Sequence, residues 1–332
     1  MTETTGWGIL ATGKIATSFA RNLKAVPDAR IAAVGSRSAG SAEAFAKEYG
    51  GPDARPHSSY EALVTDPDVD VVYIATPHAL HLDNARMALE AGKHVLCEKP
   101  LTLNTAEAEE MVRLAGEHDR FLMEAMWMCT HPVIRGVRDG LQAGRFGTPR
   151  VVRAEIGFLV SRPPSDRMVN PDLGGGALLD MGVYPLTFAN LVLGPPTELR
   201  ATAGLTDTGI DLDIAIAGRH ADGGISSMTA TMSSYSAVTA AISTDTGRVD
   251  LAAAFYSPSQ ATWTPHDGEP EPIHGVEPLL GNGLGNEAAE VQRCIRAGLR
   301  ESPLVPHAQT LRIVGQMDDL RRQVGVVYPG DR

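Results

Sequence analysis

The sequence predicts a two-domain α/β protein: a doubly wound parallel sheet first, then an α+β region built largely from antiparallel strands. Three observations carry this. From Trp7 to Ala125, short apolar runs alternate with stretches of helical periodicity over short connections. One run, Val69–Ala75, is nearly all apolar, as suits a strand buried on both faces of a parallel sheet. Near Trp127 the pattern changes, and Thr/Ser/Ala-rich segments with hairpin-type turns take over. At roughly 150 residues per domain, a chain of 332 residues suits two domains, placed at 1–125 and 126–332.

In order, Trp7–Leu10 reads as a strand closed by a glycine turn, and Ile15, Phe19 and Leu23 at four-residue spacing mark a helix face. Ile31–Val34 is a strand, Ser41–Tyr49 a helix stopped by Gly50-Gly51, and Val69–Ala75 a strand. Leu80–Ala91 is a helix stopped at Gly92, His94–Cys97 a strand, Ala106–Glu117 a helix and Phe121–Ala125 a strand. Right-handed connections make this sheet parallel, with helices on both faces. In the second part, Ile134, Val137 and Leu141 mark a short helix ending at Gly144. Val151–Phe158 reads as a half-exposed strand, and Gly174-Gly175-Gly176 opens a helix. Antiparallel strands follow from Glu198 to Trp263, with turns at 221–224 and 246–247. Helices near Glu287–Ala297 and Gln309–Gln323 close the chain, and 282–286 reads as a loop.

Composition narrows the function. Lys+Arg number 29 against 40 Asp+Glu, a net charge of −11, so the surface repels phosphates and anionic lipid heads; no nucleic-acid or membrane partner is expected. The apolar share of 43% is too high and too evenly spread for a disordered chain. No uninterrupted apolar stretch approaches the ~18 residues of a spanning helix. Met1–Gly8 is polar and lacks a signal core, so a cytoplasmic protein is expected. Cys97, Cys129 and Cys294 are scattered and odd in number, fitting reduced thiols, and no Cys/His spacing suggests a metal site.

Five motifs carry chemistry. Ala11-Thr12-Gly13-Lys14-Ile15-Ala16, between strand and helix, is an A-x-G-x-x-A variant of the glycine fingerprint that brings backbone close to a dinucleotide pyrophosphate at a helix N-terminus. After the second strand stand Ser36 and Arg37, where NAD enzymes usually carry an acid; a hydroxyl and a guanidinium would instead bind a 2′-phosphate, favouring NADP(H) over NAD(H). Thr76, Pro77, His78 and His81 follow the third strand, at the sheet edge where ligands sit. Glu98-Lys99-Pro100 follows the next strand at the same edge. Asp180 and Tyr184, four apart on a helix, face one way. Taken singly, each also fits a plain structural part: a strand-to-helix turn, a solvated loop arginine, histidines packing a helix, a solvated turn, or an aspartate near a helix start with a core tyrosine.

As an ordered set, A-T-G-K-I-A (11–16), Y-I-A-T-P-H-A-L-H (73–81), G-K-H-V-L-C-E-K-P (92–100), G-G-G-A-L-L-D-M-G-V-Y (174–184) and the tail G-V-V-Y-P (325–329) resemble the Gfo/Idh/MocA oxidoreductases. Glu124-Ala125-Met126-Trp127 and the tyrosine at 184 point within it to the dihydrodiol dehydrogenase and NADP-dependent xylose dehydrogenase branch. Ala11 departs from the family's first glycine and His78 from a frequent asparagine. The resemblance implies a Rossmann domain holding NADP(H) through residues 11–15, Ser36, Arg37, Thr76–His78, His81, Glu98 and Lys99. It also implies a second domain with an open, largely antiparallel sheet that often builds a homodimer or homotetramer. The implied reaction is hydride transfer at a carbinol or carbonyl carbon of a sugar, cyclic polyol or diol, with Lys99, Asp180 and Tyr184 catalytic. Trp127 and Arg167 are candidate substrate residues, each open to a core or surface role. Two rivals stay open: reduction of a nucleotide-linked keto-deoxysugar, and a non-catalytic dinucleotide-sensing regulator.

Overall fold

The computed structural model describes residues 4–331; the part of the polar start read above that covers Met1–Glu3 lies outside them. The chain forms two compact units. The first runs to Thr130 and takes back Leu279–Leu311; the second comprises His131–Pro278 and the residues from Arg312. These units differ from a single cut at 125/126, and the reason is the returning segment, Leu279–Leu311.

The first unit begins with β1 (Thr5–Leu10), α1 (Lys14–Leu23), β2 (Ala29–Gly35), α2 (Ala39–Phe45), β3 (Arg55–His57), α3 (Tyr60–Val64) and β4 (Val71–Ile74). It continues with α4 (His81–Glu90), β5 (His94–Glu98), α5 (Thr105–Glu117), β6 (Leu122–Ala125) and α6 (Trp127–Thr130). Six parallel strands lie in the order β3-β2-β1-β4-β5-β6. The order reverses between β1 and β4, and a crevice forms beyond the carboxyl ends of strands at such a reversal. Every residue of β4 is buried, as its apolar run requires. Phe19 of α1 stacks on Tyr73 of β4 at 3.8 Å between ring centres. Backbones also approach closely: a Cβ on Gly6 would stand 1.9 Å from the Asp68 carbonyl oxygen.

The helix expected over 41–49 starts at Ala39, because Ser38 caps it by accepting from the Ser41 N–H, and it ends in a π-helical turn over Ala46–Gly50. Strand β3 has no apolar signature; Arg-Pro-His sits at the sheet edge, held where Arg55 and His57 both bind the Asp66 carboxylate.

The second unit contains α7 (Pro132–Gln142), β7 (Pro149–Gly157), a π-helical turn over Leu178–Gly182 that runs into α8 (Val183–Leu193), and then strands only. These are β8 (Pro196–Leu205), β9 (Asp211–His220), β10 (Ile225–Thr231), β11 (Ala240–Thr244), β12 (Gly247–Leu251), β13 (Ala261–Pro265) and β14 (Glu271–Ile273). They form one eight-stranded sheet, β14-β13-β12-β11-β7-β10-β9-β8. Every pairing in it is antiparallel except β7 with β10. Along β9 and β10 buried and exposed residues alternate, and α8 packs against β7 and β10. Helical residues 171–193 are long and apolar enough to cross a membrane, but 83% of their most apolar window is buried inside the fold, so core packing accounts for the apolarity.

The last segment holds α9 (Leu284–Arg296) and α10 (His307–Val324), the latter carrying the 311/312 boundary. The loop read at 282–286 is shorter than expected: α9 already begins at Leu284, after Gly283 with φ 112°. Residues 279–311 join the first unit through specific bonds. Asn282 N–H donates to Asn22 Oδ1 at 2.7 Å, Gln292 Nε2 to the Asp28 carbonyl at 3.1 Å, and Thr310 Oγ1 to Glu124 Oε2 at 2.8 Å.

Candidate functional site

In the first unit, the sequence motifs fall on successive strand ends of the parallel sheet. The chain leaves β1 through Ala11, whose φ of 80° lies in the left-handed region that favours glycine. Its N–H is held by the Gly35 carbonyl at 3.0 Å. Gly13 follows, exposed, and a Cβ there would meet nothing within 4 Å. Helix α1 then starts with no side-chain cap and no acid in its first turn, whereas Ser38, Ser59 and Asn104 cap α2, α3 and α5. The orphan N–H groups of α1 and the positive end of its dipole thus lie beside an unobstructed glycine, which fits a pyrophosphate. Lys14 is exposed, and Thr12 and Ile15 are half-buried beside it.

At the end of β2, Ser36 is buried and its Oγ accepts from the Ser38 N–H at 3.3 Å. Arg37 is exposed and lies by the Tyr60 phenol; burial raises that phenol's pKa and the guanidinium opposes the rise. A hydroxyl and an accessible cation therefore stand where a 2′-phosphate would lie, with no carboxylate between Gly35 and Ser38.

Beyond β4, His81 is wholly buried. Its Nε2 is 2.9 Å from the Thr76 carbonyl oxygen, and its Nδ1 is 3.1 Å from those of Pro100 and Leu101. The ring straps the β4 and β5 loops together, shaping both from behind. Thr76 Oγ1 accepts from Asn84 Nδ2 at 3.1 Å, and the buried His78 ring lies edge-on to His81 at 5.7 Å.

Beyond β5, Glu98 is buried; the Tyr73 hydroxyl donates to its Oε1 and the Lys99 N–H to its Oε2 at 3.3 Å. The Lys99–Pro100 peptide is cis. The Lys99 side chain is half-buried, and its charge acts on Glu124. Burial raises the Glu124 pKa, while the Thr310 hydroxyl, the Leu101 N–H and the Lys99 ammonium oppose the rise. Glu287 of α9 is fully buried, and among the described residues neither carboxyl oxygen has a hydrogen-bond partner; burial first, and then the Glu98 charge, push its pKa well up, favouring the neutral acid. Sequence reading missed Glu287, whose neighbours lie nearly two hundred residues away. Trp127 opens α6, half-buried, its carbonyl accepting from Thr130 Oγ1 at 3.0 Å.

The second unit gathers a separate group. Asp180 lies in the π-helical turn, buried, and accepts from Arg167 Nη1 at 2.7 Å. Arg167 and Asp180, independent candidates by sequence, form one pair, and the arginine side chain keeps 46% of its exposure. Tyr184, on the first turn of α8, is buried and stacks on Tyr256 with ring centres 4.6 Å apart and planes 25° apart. Burial and then the Asp180 charge raise the Tyr256 phenol pKa. Tyr256 was not singled out, because a lone tyrosine in an irregular Ser/Pro segment carries no periodicity. Of the three catalytic candidates, Lys99 belongs to the first unit, and Asp180 and Tyr184 to the second.

Comparison with known proteins identifies the family. Residues 5–126 match the oxidoreductase family with an NAD-binding Rossmann fold, and residues 134–250 match the GFO/IDH/MocA C-terminal domain. The chain is 36% identical over 340 residues to trans-1,2-dihydrobenzene-1,2-diol dehydrogenase of Mus musculus, covering 98% of each. It is 37% identical to the D-xylose 1-dehydrogenase (NADP(+)) of Hypocrea jecorina, covering 97% of this chain and 93% of that one. Among solved structures, a 3-ketoreductase from Actinomadura kijaniata in complex with NADP and TDP-benzene superposes with a TM-score of 0.84 at 28% identity, covering 97% of this chain and 98% of that one. With both halves matched in order and relatives similar end to end, the chain belongs to the GFO/IDH/MocA family and is an oxidoreductase.

Proposed function

We propose that the protein is an NADP(H)-dependent dehydrogenase/reductase acting on the carbinol or carbonyl carbon of a sugar, cyclic polyol or diol. The observation that carries this is the buried Asp180 held by the half-exposed Arg167, with the Tyr184–Tyr256 stack in the second unit: a set of groups that a pure dinucleotide sensor does not need. The end-to-end relatives, a diol dehydrogenase and an NADP-dependent xylose dehydrogenase, support the substrate class and cofactor.

When bound, the nicotinamide accepts or supplies the hydride. The chain's own residues do the rest. Ala11–Ile15, at the uncapped start of α1, hold the pyrophosphate, and Ser36 and Arg37 take the 2′-phosphate. Thr76, Pro77, His78, Glu98 and Lys99 border the nicotinamide end, with His81 fixing the two loops that present them. Tyr184 takes the hydroxyl proton in oxidation and returns it in reduction. A free phenol titrates near 10, and an ammonium such as that of Lys99 beside it would favour the phenolate. Asp180, fixed by Arg167, orients these groups. Trp127 and the exposed part of Arg167 act as substrate contacts. The second unit's sheet builds a homodimer or homotetramer, with Phe158, Leu159 and Tyr235 exposed to contribute apolar contact.

The test is NADP-linked absorbance change across free aldoses, cyclic polyols, vicinal diols and nucleotide-diphosphate keto-sugars. Turnover of the first three classes is expected. Turnover confined to the last class would establish the ketoreductase alternative. Tight cofactor binding with no turnover, together with a tight protein partner, would establish the regulator.

A further inference from the structure

The Gly174-Gly175-Gly176 run and the C-terminal tail are far apart in sequence, and neither is used by the site described above. They meet within the second unit. The Tyr328 hydroxyl donates to the Gly175 carbonyl at 2.7 Å. Asp211, the first residue of β9, is fully buried, and its Oδ2 accepts from the Leu178 N–H at 2.5 Å; the Ala177 N–H also faces this carboxylate. Its Oδ1 has no hydrogen-bond partner among the described residues. These are the first N–H groups of the helical segment that carries Asp180 and Tyr184, groups that otherwise lack partners inside a helix.

The glycines are what this clamp requires. Gly176 has a φ of 140°, and a Cβ on it would stand 2.4 Å from Asp211 Oδ1 and 3.0 Å from the Tyr328 hydroxyl. A Cβ on Gly175 would stand 2.8 Å from both the Met168 carbonyl oxygen and the Asn170 nitrogen. Gly176 N–H in turn donates to the Met168 carbonyl at 3.0 Å, next to Arg167. One clamp therefore grips both the loop that brings in Arg167 and the helical turn that brings in Asp180.

We propose that Asp211 and Tyr328 are positioning residues: they clamp the Gly174–Leu178 turn so that Asp180 meets Arg167 and Tyr184 stacks on Tyr256. This rests on the reading of Asp180 and Tyr184 as the proton-handling residues. The charged and titratable groups facing the clamp are Arg321, whose guanidinium lies over the Tyr328 ring at 4.9 Å, and its partners Asp318 and Asp331. Burial pushes the Asp211 pKa up to about 7, with the Leu178 N–H and Arg321 among the groups opposing it.

The experiment uses the full chain and two readouts, amide hydrogen exchange over residues 177–184 and steady-state kinetics. Asp211→Ala and Tyr328→Phe are expected to speed exchange there about tenfold, the size of losing a helix cap. They are also expected to lower kcat about tenfold, with the cofactor Kd changed less than twofold. Asp211→Asn keeps an acceptor oxygen and restores slow exchange. Ile242→Val, a core change in β11, serves as the control that lowers stability without speeding exchange at 177–184. Wild-type exchange in both Tyr328→Phe and Asp211→Ala overturns the clamp, as does an Asp211→Asn protein that exchanges as fast as Asp211→Ala. Should Asp211→Ala fail to fold, Tyr328→Phe, which loses one oxygen, decides alone. A Tyr184→Phe protein with full turnover would instead refute the catalytic reading, and the exchange result would still decide the clamp.

Discussion

The two units hold their functional groups in different ways. In the first, the groups stand on consecutive strand ends of a parallel sheet, and main-chain geometry does much of the work: an uncapped helix start, a bare glycine, a left-handed alanine, and a histidine strapped between carbonyls. In the second, side chains do the work, drawn from an irregular loop (Arg167), a π-helical turn (Asp180), a helix (Tyr184) and an inter-strand connection (Tyr256). A parallel sheet supplies a ready edge wherever its order reverses, so recognition of a constant cofactor can be left to backbone. A variable substrate calls for side chains that change independently, and loops on a rigid scaffold provide them.

This contrast makes a division testable: changes in the first unit should move cofactor affinity, and changes in the second should move turnover. The largest effect is expected from Tyr184→Phe, which should cut kcat by about 10²–10⁴-fold, the range for a lost general acid–base, with NADPH affinity by fluorescence titration unchanged. Wild-type kcat would remove Tyr184 from its role. Lys99→Met crosses the division: it lies in the first unit yet should lower kcat about 10²-fold, with the pH–rate profile moved to higher pH, as expected for loss of a cation that favours the phenolate. A pure rise in cofactor KM would return Lys99 to the binding class. Next, Arg37→Ala should raise the NADP(H) KM by roughly 10–100-fold, the scale of a charge-assisted phosphate contact, and leave the NAD(H) KM unmoved. An unchanged NADP(H) KM would reassign the 2′-phosphate site.

Two smaller effects concern stability in the first unit. Glu287 has its pKa raised by burial and by Glu98, so its contribution is fully present below the unfolded carboxyl pKa and is lost as pH rises toward the folded value. Glu287→Gln should therefore flatten the fall in urea midpoint as pH rises from mildly acidic to alkaline; parallel curves for both proteins would contradict the buried neutral acid. Smallest, Ala11→Gly should stabilise by about 1 kcal/mol by relieving the left-handed φ at position 11, read as a higher Tm.

The same contrast explains what sequence could and could not disclose. The apolar run at 71–74, the spacing of Phe19 and Leu23 and the strand-end motifs are local patterns that the sheet imposes, and they were legible. Strand β3 was not, because three edge residues, two of them exposed and none apolar in pattern, carry no periodicity. The parallel pairing of β7 with β10 depends on chain path, which a pattern of alternation does not encode. Within the second unit, Asp180 and Tyr184 were visible as a helical pair, but their company was not. Arg167 arrives across an irregular loop, Tyr256 lies tens of residues away in an inter-strand connection and Asp211 at the start of a strand, and only folding joins them. Arg167 read as open to a substrate or a surface role, and its pairing with Asp180 could not be seen from their spacing.

The return of residues 279–311 to the first unit has a bearing on biosynthesis. A ribosome making this chain releases all six parallel strands long before it releases α9, so the nascent sheet waits with Asn22, Asp28 and Glu124 still lacking their late-arriving partners. The N-terminal half is thus an unfinished body throughout most of translation. A chain cut short after Pro278 should emerge as a prime client for chaperones and proteases rather than as a free-standing nucleotide binder.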